Sequence, residues 1–101
     1  MIRHIVTWTL KSDDQEEKAA QTADIAARLS PLVDLVEGFD WLEIHSDMGG
    51  IDGNSDVLLV SQFASREALN AYLDHPEHLA AVAVIREYFA GRAAIDYEVA
   101  H

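Results

Sequence analysis

From Ile2 to Leu10 apolar and polar residues alternate, and Ile, Val, Thr and Trp dominate, so the chain opens on a strand. One face of that strand carries Ile2, His4, Val6, Trp8 and Leu10, and the other Ile5, Thr7 and Thr9. Ser12-Asp13-Asp14 supplies turn and capping residues, and the acidic run from Asp13 to Glu17 suits a helix N-terminus. Ala19, Ala23, Ala26, Leu29, Val33 and Val36 then recur at helical spacing. They predict a helix that Pro31 kinks or breaks near Leu29-Ser30 and that Gly38 ends. Phe39 to Ser46 reads as a second strand and Met48 to Asn54 as a glycine-rich loop. Asp56 to Phe63 reads as a third strand, apolar enough for a central place. Residues 65–73 and 77–90 form two helical segments parted at Pro76, Gly91 makes a turn, and Ala93 to Val99 is the last strand. The order β-α-β-β-α-β predicts an α+β, ferredoxin-like domain over residues 1–101: a four-stranded antiparallel sheet with helices on one face.

Helices on one face leave the other bare. That face would expose Ile5, Leu58, Val60, Ile95 and Tyr97, together with Trp41. So much contiguous apolar surface rarely stays in water, and the same face of a second copy covers it through one two-fold operation. A homodimer is therefore expected, with Trp41 in its core rather than serving as a ligand platform. Composition agrees: 101 residues make one modest core, and 50% apolar residues is generous for that size.

Charge and missing motifs narrow the function. Eighteen acidic residues against seven basic ones give −11, which argues against nucleic acid and anionic membrane surfaces as partners. No apolar run approaches the ~20 residues of a membrane span. The chain has no cysteine, hence no disulfide, thiolate metal site or cysteine nucleophile. Met1-Ile2-Arg3-His4 lacks the layout of a secretory signal, so a cytoplasmic setting is expected. The glycine loop has no P-loop lysine, and neither a dinucleotide fingerprint nor a nucleophile elbow is present; no cofactor is expected.

The chemistry concentrates in Tyr72-Leu73-Asp74-His75-Pro76-Glu77-His78. Pro76 cannot continue a helix but is tolerated in the first turn of a new one. Tyr72 and His78, six positions apart, would not share a face of one straight helix, and the break at 75–76 can bring them together. His78 then lies in a first helical turn, where the macrodipole disfavours imidazolium, and a neutral imidazole beside a phenol makes an acid/base pair. A second reading stands beside this one: His75 caps the helix, Pro76 starts it and His78 is surface decoration. His75 and His78 could also contribute to a metal site, but zinc needs more ligands than this segment offers.

His4 on the first strand, Tyr72 ahead of His75-Pro76-Glu77-His78, the junction Phe63-Ala64-Ser65-Arg66-Glu67-Ala68, and Ile95-Asp96-Tyr97 together resemble the stress-responsive dimeric α/β-barrel (Dabb) family over essentially the whole chain. The resemblance implies two sheets packed face to face. Most bacterial members have no assigned activity, and plant members include a cofactor-free polyketide cyclase, olivetolic acid cyclase. By that likeness Tyr72 and His78 would be the acid/base pair and His4 a pocket residue. The lining departs from the cyclase, with Leu29 in place of a second pocket tyrosine and Arg92 in place of an apolar residue, so a different substrate is implied. Some plant members also hold magnesium at the end of the first helix, here Val33 to Phe39; a plain glycine-terminated helix is the preferred reading of that stretch.

The expectation is a homodimer with one small apolar pocket per subunit, lined by Val6, Trp8, Leu29, Leu59, His75, Ala81 and Phe89. Cofactor-independent acid/base chemistry on a carbonyl compound would run on Tyr72, His78 and His4. Alternatives are a non-catalytic protein that binds a hydrophobic small molecule or protects partners under stress, and, by fold analogy, a cofactorless monooxygenase.

Overall fold

The computed structural model describes residues 1–100. Strand β1 (Ile2–Leu10) leads into helix α1 (Gln15–Leu29) and a 3-10 turn (Ser30–Asp34), followed by β2 (Phe39–Ser46) and β3 (Val57–Phe63). Two short helices, α2 (Arg66–Asp74) and α3 (Pro76–Ile85), a second 3-10 turn (Arg86–Tyr88) and β4 (Phe89–Glu98) complete the chain. The sheet order is β2-β3-β1-β4 with every pair antiparallel, the ferredoxin-like arrangement expected from the element order. Among the described residues no helix is long and apolar enough to cross a membrane.

The alternation in β1 becomes burial. Ile2, His4, Val6, Trp8 and Leu10 lie under the helices, aligned with Phe63, Ser61, Leu59 and Val57 of β3. Ile25 and Leu29 of α1, Leu69 and Tyr72 of α2, and Ala81 and Ile85 of α3 close the core from above. Phe39, Phe63 and Tyr72 form an aromatic cluster, with Phe39 stacked on Phe63 at 4.3 Å and Tyr72 edge-on to Phe39 at 4.9 Å. On the bare side of the sheet, Ile95 is 61% and Tyr97 42% exposed. Trp41 lies there beneath the Arg3 guanidinium, 5.1 Å from the ring centre.

One boundary, the break at Pro31, follows the pattern, and two others differ from it. Helix α1 stops at Leu29, because Pro31 has no N–H for the preceding turn, and the chain tightens into a 3-10 turn that still buries Leu32. Helix α3 ends at Ile85 rather than running to residue 90. Gly91 is not a turn: β4 begins at Phe89, and Gly91 pairs with Thr9 beside a register shift between Thr9 and Leu10.

Candidate active site beneath the helices

The break between α2 and α3 builds one wall of the site. His75 adopts extended backbone (φ −63°, ψ 134°) and Pro76 opens α3. In an unbroken helix the Leu73 carbonyl would accept from the N–H of Glu77. That N–H is instead taken by the His75 ring, whose Nδ1 accepts at 3.0 Å. The freed Leu73 carbonyl is occupied by His78, whose Nδ1 lies 3.1 Å away. A carbonyl only accepts, so Nδ1 of His78 carries the proton and Nε2 holds the lone pair.

The same polarity is set at His4. This ring is 4% exposed, and its Nδ1 bonds the Asp96 carboxylate directly across the β1–β4 ladder. A carboxylate accepts, so here too Nδ1 is the donor, and among the described residues Nε2 has no protein partner. Tyr72 lies between the two imidazoles, with ring centres 4.4 Å from His78 and 6.3 Å from His4.

Tyr72 is 1% exposed, yet among the described residues its hydroxyl makes no protein hydrogen bond. Among the described residues the buried side-chain polar atoms left without partners are Arg3 Nε and Gln21 Oε1. The Tyr72 hydroxyl is not among them, so it opens onto a cavity. Burial pushes the phenol far above its ordinary range and keeps it protonated. For His78 burial acts the other way, lowering its pKa from 6.5; the Leu73 bond opposes this, while charge on His4, Arg92 and His75 adds to it.

The cavity encloses about 280 Å³. His4, Val6 and Trp8 of β1 and Leu59 of β3 form its floor, and Leu29, Tyr72, Leu73 and His78 its sides. Val82, Ile85, Arg86, Phe89 and Arg92 complete it. Trp8 and Phe89 stack at 4.8 Å as a wall and leave the space open.

The structure thus brings His4, Tyr72, His78, Val6, Trp8, Leu29, Leu59 and Phe89 to one cavity, and corrects two expected pocket residues. His75 caps α3 and borders a separate surface groove with Val36 and Ala71. Ala81 is buried in the core, whereas the cavity face of α3 repeats from His78 through Val82 and Ile85. Among the described residues Tyr72 and His78 make no direct hydrogen bond, and their rings pack tilted against each other. Arg92 lines the cavity too, whereas Leu73, Val82, Ile85 and Arg86 were not anticipated as parts of the site, nor was Asp96 as the hydrogen-bond partner of His4. The residue-type signal for Asp96 lay in strand parity, which puts it on the helix-side face with Ala94. Among the described residues no group of three or more His, Asp or Glu side chains is placed to hold a metal ion.

The model of the stress-responsive A/B barrel domain matches residues 2–99. A dimeric protein of unknown function with a ferredoxin-like fold from Bacteroides fragilis is 28% identical, with a TM-score of 0.83 over 97% of this chain and 95% of that one. A dimeric ferredoxin-like protein of unknown function from Thermobifida fusca is 26% identical, with a TM-score of 0.81 over 97% and 90%. A Dabb family protein from Mesorhizobium loti is also 26% identical, with a TM-score of 0.75 over 99% and 97%. No curated protein matches. The match over nearly the whole chain, on a ferredoxin-like sheet carrying this histidine-tyrosine cavity, places the protein in the stress-responsive A/B barrel (Dabb) domain family.

Proposed function

We propose that the protein is a homodimeric, cofactor-independent acid/base enzyme acting on a small, largely apolar carbonyl compound. One observation carries this reading: two imidazoles are each tethered through Nδ1, with Nε2 unpartnered among the described residues, around a neutral buried phenol at an apolar cavity. His78, disfavoured as a cation, is the base that takes a proton from the carbon next to the carbonyl. Tyr72 keeps its proton and donates a hydrogen bond to the oxygen as enolate charge builds there. His4, held by Asp96, orients the carbonyl. The chemistry resembles that of the family's polyketide cyclase, with a different lining and hence a different substrate.

Assembly follows from the bare sheet face. Ile5, Leu58, Val60, Ile95, Tyr97 and Trp41 form its apolar surface, and two structural relatives are themselves described as dimeric.

The test is exchange of α-protons in D2O, followed by NMR over a panel of small alkyl and aryl ketones. Exchange above the buffer rate is expected for at least one of them. His78→Ala should abolish it and Tyr72→Phe slow it by about 10²-fold. Saturable binding of these ketones with no exchange would replace this reading by the non-catalytic binding one.

A further inference from the structure

The charged residues that line the cavity are of one sign. In a chain with 18 acidic and 7 basic residues, no Asp or Glu among the described residues lines this space, whereas Arg86 and Arg92 both do. The cavity under the glycine loop shows the opposite pattern, with Asp13, Asp47, Asp52 and Asp56 around Lys18. Lys18 and Arg28 are neutralised by Asp56 and Asp24, but among the described residues neither Arg86 nor Arg92 forms an ion pair. Their positions are fixed by the fold. Arg92 stands opposite Trp8 in the β1–β4 ladder, on the helix-side face, and Arg86 opens the 3-10 turn after α3. Both are exposed, so the two guanidiniums sit at the mouth of a space whose walls are otherwise mostly apolar.

Guanidinium groups bind planar carboxylates through paired N–H donors, and they do so best where a neighbouring apolar surface excludes water. Around 280 Å³ falls just below the usual range for drug-sized ligand pockets, which fits a single ring or short acyl chain. Building on the assignment of this cavity as the ligand site, we infer that its ligand is a small apolar carboxylate whose anionic end is held by Arg92 and Arg86 at the mouth, with its body against Trp8 and Phe89. The carboxylate end then fixes which carbon reaches His78 and Tyr72 deeper inside.

Binding of benzoate and of benzamide to the full chain, followed through the Trp8 indole resonance, separates charge from shape. Benzoate should bind about tenfold more tightly than benzamide, and the Arg86→Gln/Arg92→Gln double variant should lose that preference while still binding the amide. Inorganic phosphate at matched ionic strength should not displace benzoate. Equal affinities, a preference that survives in the double variant, absence of saturable benzoate binding, or displacement by phosphate would each overturn the assignment. The measurement needs no turnover. A failed exchange assay with an intact acid preference therefore counts against the acid/base reading alone.

Discussion

Burial acts in opposite directions on the two protic side chains that share the cavity. It raises the Tyr72 phenol and lowers the His78 imidazole, so both are neutral at pH 7 for the same reason: charge is poorly solvated there. The Tyr72 ring is also structural, wedged against Phe39 and Phe63, while its hydroxyl has no protein partner among the described residues. Ring and hydroxyl can therefore be separated. Tyr72→Phe should change unfolding free energy by less than about 1 kcal/mol, whereas Tyr72→Ala should cost about 3–5 kcal/mol, read by urea denaturation. A large loss on Tyr72→Phe would show a buried hydrogen bond and contradict the open hydroxyl. At this scale residue type and the Pro76 break pointed to Tyr72 and His78, and the family resemblance to His4. Asp96 was not anticipated as the orienting group, because its contact with His4 spans 92 positions and depends on strand register.

Two helix terminations set the element scale. At Pro76 the break redirects one carbonyl and one N–H, and the histidines on either side take them up, which is why His75 caps while His78 faces the cavity. The corner was readable from proline chemistry, but the assignment of the lining was one helical step off. From His78 the cavity face continues to Val82 and Ile85, and Ala81 turns toward the core. At Gly38 the chain adopts φ 83°, and a Cβ there would come 2.9 Å from Ala68 Cβ. Both the conformation and the space exclude a side chain, so the glycine lets β2 start flush against α2. Gly38→Ala should destabilise by about 1–3 kcal/mol in thermal or chemical unfolding. An unchanged midpoint would mean that α2 shifts freely away from the β2 entry. The early start of β4 was hidden because Arg86–Tyr88 continues the helical pattern as a 3-10 turn before the strand begins.

Over the whole molecule, one sheet face is covered by helices and the other is not. Strand parity alone separated the two faces, since a period of two assigns every side chain once one face is known. Leu58 and Val60 lie near the middle of the bare face, half-buried on β3 between β1 and β2. Leu58→Lys or Val60→Lys should give monomeric or insoluble protein, because an unpaired charge at the centre of an apolar interface is costly. A wild-type chain sedimenting as a monomer at micromolar concentration contradicts the dimer. What pattern could not supply was the distribution of charge around the cavity, since Arg86 and Arg92 come to line one space only after α3 and β4 pack onto β1.

The pH dependence of α-proton exchange by the wild-type protein tests the central claim most directly. The base is His78 in its neutral form, and burial holds its pKa below 6.5. Exchange should therefore rise with pH only on the acid side of 6.5 and then stay level through pH 9, because Tyr72 keeps its proton across that range. A rate that keeps climbing about tenfold per pH unit above neutrality, as attack by free hydroxide gives, or an inflection above 6.5, would contradict proton transfer by His78.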